Sequence, residues 1–302
     1  MRTKLYPIVQ IAKGTWEIDE VDCASMFLLE GTERALLIDC GNGIGDLRGA
    51  VEQLTDKPVT VVISHGHGDH IGNIDQFDEI WIHPKDRDRL QGRNLKKCRG
   101  DITKIARRQK GSLGGVYTLF NLYPFDLDTD LREWERMPVI HDLTDGMEFD
   151  LGGGRIVTAY ECAGHSAGEM IFLDSQTRIL FCGDALNYNL LILTETGTTA
   201  LNGLKRMAAM ADRYDRIFNG HHDFRALGAP LDDDCLPNAI ALLEDAVAGH
   251  WSPCKMPSFW GQDMPISRTP VPELGPDGKP INRVTLHRGR NFISIDPDRI
   301  GE

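Results

Sequence analysis

The chain has 302 residues, 41% of them hydrophobic and 26% charged, which is long enough to bury a substantial core. Its formal net charge of -12 argues against general affinity for nucleic acid or for an anionic membrane surface. Its cysteines are odd in number and form no Cys-x-x-Cys pair, and no apolar signal core or bilayer-length apolar run is found, so a cytoplasmic protein without a disulfide framework is expected.

Along the first part of the chain, short apolar and β-branched runs alternate with glycine, proline and polar clusters, which is typical of strands joined by turns. These predicted strands lie at 8–16, 24–30, 34–39, 58–63 and 79–83. Residues 43–54 have the apolar spacing of an amphipathic helix. From residue 85 the character changes, and 85–138 is predicted to be a partly helical insertion. It begins with a basic run at 85–110, either a solvated face or a guide for an anionic substrate, and continues with an aromatic stretch.

The second part of the chain repeats the strand pattern. Strands are predicted at 147–151, 155–161, 170–174, 178–182 and 216–219. Helices are predicted at 201–214 and 232–249, and irregular structure over the segment 253–280, which is rich in proline and glycine. Two rounds of strands with helices between and after them predict a layered α/β architecture. We expect a single domain over 1–302, with a C-terminal extension from about 224.

One stretch, residues 64–72, gathers potential metal ligands at high density. It reads Ser-His-Gly-His-Gly-Asp-His-Ile-Gly, and we call it the metal loop; its candidate ligands are His65, His67, Asp69 and His70. Two imidazoles two residues apart would point about 200° apart in a helix, so a loop leaving a strand end is required. Imidazole with carboxylate suits zinc, and also iron or manganese. A helix capped by Asp69 is expected to follow.

Three later positions share an arrangement of strand end, glycine and potential ligand. They are His165, Asp184 and His221, with His222 as the alternative to His221. Each glycine allows the chain to approach a shared centre closely. Alone, each of these pairs is a weak signal, since most Gly-His and Gly-Asp pairs lie in ordinary turns. In this order, and together with the metal loop, they form a strong one.

With these motifs the chain resembles the metallo-β-lactamase superfamily of hydrolases, over roughly residues 8 to 84 and 147 to 223. The motifs that carry the likeness are Asp39, His65-x-His67-x-Asp69-His70, His165, Asp184 and His221. The resemblance implies a four-layer αββα sandwich, here with a helical insertion. It also implies that the metals lie at one edge of the two sheets.

By that resemblance, the chain holds two metal ions, zinc in the first place and iron or manganese as alternatives. The first metal would be held by His65, His67 and His165, the second by Asp69, His70 and His221, with Asp184 bridging them. Asp39 would steady the metal loop from outside the ligand set. A hydroxide bridging the metals would attack an ester-like carbonyl. Asp69 would orient it and accept its proton, and Tyr188 is a candidate donor to the leaving group.

The function implied is hydrolysis of a small ester, thioester or lactone. The true β-lactamases commonly place cysteine or serine where this chain has Asp184, which lowers the expectation of antibiotic hydrolysis. Two alternatives stay open: a mononuclear iron dioxygenase of the persulfide dioxygenase type, and a non-enzymatic metal-binding member of the fold. The expected partner is a small-molecule substrate, with no nucleic acid and no membrane. The aromatic part of the insertion also allows for a homodimer.

Overall fold

The structure is a computed structural model of the whole chain. It describes residues 4–20, 24–92, 94–100, 102, 127–192, 194–222, 225–251, 273–274, 280–281, 284–288 and 291–301. Residues 103–126 of the predicted insertion, which include its aromatic stretch, and most of the predicted irregular segment 253–280 lie outside the described residues. The chain divides into two compact units. Unit 1 is Met1–Glu161, Gly168–Gly183 and Asp212–Leu231, and unit 2 is Cys162–Ala167, Asp184–Ala211 and Asp232–Glu302.

Unit 1 contains a seven-stranded sheet whose strands lie side by side in chain order. They are β1 (Ile8–Ala12), β2 (Thr15–Glu20), β3 (Ala24–Glu30), β4 (Ala35–Ile38), β5 (Val59–Val62), β6 (Glu79–Ile82) and β7 (Val139–Asp142). The pairs from β1 to β4 are antiparallel, and those from β4 to β7 are parallel. Ile38 pairs with Val62, so the loops after β4 and β5 leave the same edge of the sheet together.

A five-stranded sheet completes the strands of unit 1, in the order β13-β11-β10-β9-β8. Its strands are β8 (Glu148–Asp150), β9 (Ile156–Glu161), β10 (Met170–Asp174), β11 (Ile179–Phe181) and β13 (Arg216–Phe218). β11 and β13 are parallel, and the other neighbours are antiparallel. The chain therefore leaves β11 and β13 at the same edge of this sheet.

Two hydrophobic clusters cover the two faces of the seven-stranded sheet. Leu28 and Leu37 lie in a cluster that also includes Leu47 and Val51 of the short helix α1 (Leu47–Val51). Their sequence neighbours in β3 and β4, facing the other way, lie in a cluster that includes Phe172 and other side chains of the five-stranded sheet. Both faces of β3 and β4 are thus buried, as expected for the middle of a layered sandwich.

The described part of unit 1 also contains shorter elements. Among them are the one-turn helix α2 (Leu127–Asp130), the 3-10 segments Ile74–Gln76 and Pro84–Leu90, and helical residues at 95–100. No helix in the described part of the chain has the length and the apolar character needed to cross a membrane.

Unit 2 contains two longer helices that pack on each other, α3 (Gly197–Ala208) and α4 (Cys235–Val247). The side chain of Thr196 caps α3 by accepting the N–H of Thr199 at 3.1 Å. Its remaining elements are β12 (Asn189–Ile192), β14 (Glu273–Leu274), β15 (Pro280–Ile281), β16 (Val284–Arg288), β17 (Asn291–Ile295) and the 3-10 turn Pro297–Arg299. β17 lies between β12, to which it is parallel, and β16, to which it is antiparallel.

The predicted layered α/β fold class is confirmed, whereas the single domain over 1–302 stays a prediction. Some local predictions are wrong. The run 8–16 is not one strand but contains β1, a hairpin turn and the start of β2, because Gly14 adopts a φ of +63° between the two strands. The helix predicted over 43–54 shortens to α1, because Gly43 and Gly45 adopt φ values of 90° and 82° that an α-helix excludes.

The helix predicted after the metal loop is also absent from this part of the described chain. Turns follow instead, and then the 3-10 segment Ile74–Gln76, which begins after Asn73. Asp69 therefore does not cap a helix.

Candidate metal centre

The residue after β4 has a strained backbone that is held by several hydrogen bonds. Asp39 has a φ of 66°, in the left-handed region that is costly for a residue with a Cβ. Its N–H donates to the carbonyl of Val62 at 2.9 Å. Its carboxylate accepts both the N–H and the Oγ–H of Ser64, each at 2.7 Å. These contacts tie Asp39 to the point where the metal loop begins.

The same carboxylate orients the imidazole of His70. Nδ1 of His70 lies 2.9 Å from Oδ2 of Asp39, and since a carboxylate accepts, Nδ1 is the donor. The lone pair of the ring is therefore on Nε2, and this tautomer can coordinate a metal through Nε2. This is the supporting contact expected of Asp39.

Main-chain hydrogen bonds join the metal loop to the loop after β4. The N–H of Cys40 donates to the carbonyl of His70, and the N–H of Gly72 donates to that of Gly41, both at 2.7 Å. A Cβ at Gly72 would lie 2.1 Å from the carbonyl carbon of Asn42. The two loops are so close that only glycine fits at this position.

Five of the predicted ligands belong to unit 1, and their side chains gather. These residues are His65, His67, Asp69, His70 and His221. Ligand nitrogens of His65 lie within 4.8 Å of those of His67 and His70, and ligand atoms of Asp69, His70 and His221 lie within 4.8 Å of one another. His65 and His70 are fully buried. Imidazoles packed this closely around a carboxylate form a donor set that fits a divalent metal.

Polar groups lie close to Nδ1 of the His65 ring. Its Nδ1 lies 3.1 Å from Oγ of Ser64 and 3.5 Å from a carboxylate oxygen of Glu169. Glu169 is fully buried, and a Cβ at Gly183 would lie 2.6 Å from its Oε1. Sequence reasoning missed Glu169, because nothing in its local pattern separates it from an ordinary turn residue.

Neighbouring histidines after β13 take different places. Nε2 of His221 lies 3.7 Å from Oδ2 of Asp69, and the rings of His221 and His70 have centroids 5.3 Å apart. His222 instead places Nε2 3.2 Å from Oδ1 of Asp19. The geometry therefore supports His221 rather than His222 as the residue of the candidate centre.

The two predicted ligands in unit 2 are also close to each other. Nε2 of His165 lies 3.5 Å from Oδ2 of Asp184, and both side chains are buried. Nδ1 of His165 donates to the carbonyl of Leu191 at 2.6 Å, which leaves the lone pair on Nε2. This is the same division of roles between ring nitrogens that His70 shows in unit 1.

Tyr188 is buried in unit 2, where its hydroxyl is occupied. It donates to Oδ2 of Asp232 at 2.6 Å and accepts the N–H of the same residue at 3.0 Å. This pair gives Tyr188 a structural contact. Its catalytic role stays a prediction.

A buried carboxylate in the 3-10 segment Pro84–Leu90 supports the metal loop, and the sequence analysis did not single it out. Asp86 accepts the N–H of Gly66 at 2.8 Å and that of Gly168 at 3.1 Å. A Cβ at Gly66 would lie 2.9 Å from the carbonyl oxygen of Asp86. In the sequence Asp86 is one acidic residue in a basic run, so no local signal could have identified it.

Comparisons with known proteins find relatives in sequence and in fold. The human acyl-coenzyme A thioesterase MBLAC2 is 27% identical over 223 residues, which cover 68% of this chain and 75% of that protein. The uncharacterized protein YobT of Bacillus subtilis is 28% identical over 170 residues, which cover 53% of this chain and 60% of that protein. A solved metallo-beta-lactamase from Pontibacter korlensis has 16% identity and a TM-score of 0.54, covers 80% of this chain and 100% of its own, and shows the shared fold.

The family profile matches a large continuous part of the sequence. The profile of the metallo-beta-lactamase superfamily spans residues 21–221, which include the metal loop, His165, Asp184 and His221. A divalent metal fits both this fold and the groups of histidine and aspartate that the structure gathers. The chain therefore belongs to the metallo-beta-lactamase superfamily.

Proposed function

We propose that this protein is a metal-dependent hydrolase of small esters, and of thioesters in the first place. The observation that carries the proposal is the gathering of five imidazole and carboxylate side chains of unit 1 within a few ångströms. Membership of the superfamily supports a hydrolase, and the thioesterase activity in the name of the human relative supports a thioester. Simple esters and lactones require the same attack on a carbonyl and belong to the same proposal.

We further propose that two divalent metal ions bind per chain, zinc in the first place. The seven ligands would be His65, His67, Asp69, His70, His165, Asp184 and His221. Five of these gather in unit 1, and the remaining pair lies together in unit 2. The order of the motifs in the superfamily supports combining them in one centre. The donor set also suits iron or manganese.

Bound divalent metals would polarise the substrate carbonyl and lower the pKa of a bound water toward neutrality. The chain's own residues would supply orientation and a proton acceptor. Asp39 holds His70 with its proton on Nδ1. Asp69 would accept the proton of the attacking water, and this role is supported by its one-third exposure and by the 3.9 Å distance between its Oδ1 and Nε2 of His70. A thiolate leaving group would need little protonation, which agrees with the occupied hydroxyl of Tyr188.

The proposal is tested by following thiol release from acyl-coenzyme A thioesters with a thiol-reactive dye. Metal-loaded protein should hydrolyse the thioester, chelation should abolish turnover, and added zinc should restore it. His67→Ala should be inactive under the same conditions. His250→Ala, a change of an exposed histidine in unit 2, should retain full activity. A fully metal-loaded protein that cleaves no thioester, ester or lactone would overturn the proposal.

A further inference from the structure

We infer that Asp19, His222 and Arg225 are positioning residues for His221, the last ligand of the proposed centre. We call these three residues the clamp, and residues 219–222 the last-ligand loop. The inference rests on the proposed function, in which His221 holds the second metal. All of its contacts lie within unit 1.

Arg225 contacts the last-ligand loop directly. Its Nη2 donates to the carbonyl of His221 at 3.0 Å and also to the side-chain oxygen of Asn219. Its Nε donates to the carbonyl of Ala229 at 3.0 Å. One planar guanidinium thus ties the loop to the chain that follows it. A lysine ammonium cannot reproduce this fork of donors.

His222 ties the same loop to the seven-stranded sheet. Its Nε2 lies 3.2 Å from Oδ1 of Asp19 in β2, and its Nδ1 lies 3.2 Å from the carbonyl of Arg225. Asp19 is fully buried, and His222 is 3% exposed. The ring nitrogens of His222 thus lie near oxygens of Asp19 and Arg225, whereas Nε2 of the adjacent His221 lies 3.7 Å from Oδ2 of Asp69, another proposed ligand.

The clamp is seated on β2 and β3 through further polar contacts. Glu17 shares a face of β2 with Asp19, and it accepts the Oγ–H of Ser25 at 2.8 Å and the N–H of Gly228 at 2.7 Å. The N–H of Ser25 donates to the carbonyl of Gly220 at 2.8 Å. Burial raises the pKa of Glu17, and the hydrogen bond from Ser25 opposes this shift. Hydrogen bonds to buried strands therefore hold the last-ligand loop at Gly220 and hold the chain that follows it at Gly228.

This arrangement predicts a selective effect on metal binding. Groups that orient metal ligands from outside typically contribute 10–100-fold to metal affinity. The clamp touches the loop of His221 and no residue of the first-metal set among the contacts above. Loss of the clamp should therefore weaken the second metal by about 10–100-fold and leave the first metal in place.

The test is calorimetric titration of the metal-free full chain with zinc, together with thermal unfolding. Arg225→Lys and Asp19→Asn should keep one tight zinc per chain and bind the other about 10–100-fold more weakly. The conservative Arg225→Lys retains charge and length, so it separates a positioning effect from a failure to fold.

A matched control is Asp174→Asn, which breaks the fully buried ion pair of Asp174 with Arg155 at 2.6 Å. Arg155 also donates to the carbonyl of Glu30, and Glu30 pairs with Ala35, the first residue of β4. The ion pair of Arg155 and Asp174 therefore lies at the strand ends opposite the metal loop. The control should lower the Tm and still bind both zinc ions. Clamp variants that bind two zinc ions like the wild type, or that lose both equally, would overturn the inference alone. A wild type that binds fewer than two would overturn the proposed centre and the inference with it.

Discussion

The metal loop and the last-ligand loop both follow a strand that is parallel to a neighbour, yet they are supported in different ways. The metal loop is held by main-chain hydrogen bonds to the loop after β4, by glycines that allow close approach, and by the carboxylates of Asp39 and Asp86. The last-ligand loop is held by side chains, above all those of Arg225 and His222. The metal loop therefore depends on Gly72 and on two buried carboxylates. The last-ligand loop depends on Arg225, which follows it closely in the sequence, and on Asp19, which is distant in the sequence.

The largest expected effect is the loss of hydrolysis when a proposed ligand is removed, and it should differ between the ligands of the two loops. His65→Ala removes a fully buried imidazole from the densest part of the donor set, and we expect hydrolysis to fall by more than about 100-fold, beyond the usual effect of an outer residue. His221→Ala should lose the second metal and keep the first. Metal content and thioester turnover of both variants check this difference. Equal loss of both metals in the two variants would contradict it.

Glycines of the metal loop should differ sharply in their tolerance of a methyl group. A Cβ at Gly72 would lie 2.1 Å from backbone atoms, whereas one at Gly68 would meet nothing within 4 Å. Gly72→Ala should lower the free energy of unfolding by at least about 3 kcal/mol, and Gly68→Ala should change it by less than about 0.5 kcal/mol. Chemical denaturation measures both values. A stable Gly72→Ala protein would show that the two loops are not held by close backbone contact.

The carboxylate beside the metal loop offers a subtler change. Asp39→Asn keeps the shape but loses an acceptor that serves both Ser64 and His70. We expect metal affinity to fall by about 10–100-fold, and chelator competition measures it. Asp150→Asn, in a turn where Oδ1 accepts the N–H of Gly152, is the control and should leave affinity unchanged. Unchanged affinity in Asp39→Asn would mean that His70 does not need this partner.

The smallest effect concerns a cysteine next to this carboxylate. Burial raises the pKa of Cys40 well above its usual value, and the nearby charge of Asp39 raises it further. Cys40 should therefore be a thiol and not a thiolate at pH 8. A maleimide should leave it unlabelled in the native protein and label it once the protein is unfolded. Peptide mapping by mass spectrometry identifies the labelled residues. Rapid native labelling of Cys40 would show that the loop after β4 opens readily.

The sequence was sufficient to predict the part of the site that is dense in ligands. His65, His67, Asp69 and His70 stand together in the chain, and the strand before them sets the edge from which they project. The layered class could also be predicted, because short apolar runs and helical periodicity are local signals. β7 was missed because only two of its four residues are apolar, and β12 because so short an apolar run does not separate a strand from a helix.

The supporting residues could not be predicted for a physical reason. Asp86 contacts Gly168, and Asp19 contacts His222, so each pair is distant in the sequence and meets only after the sheets have formed. A single buried carboxylate in a strand or in a basic run has no periodicity that marks it. The resemblance already favoured His221 over His222, and the structure adds a physical reason, since His222 faces Asp19.

The most direct test of the central claim is the metal content of the purified chain, measured by elemental analysis after reconstitution with zinc. The proposed centre predicts about two zinc ions per chain, with His221→Ala retaining about one. One ion or none in the reconstituted wild type would contradict the binuclear centre on which the proposed hydrolysis depends.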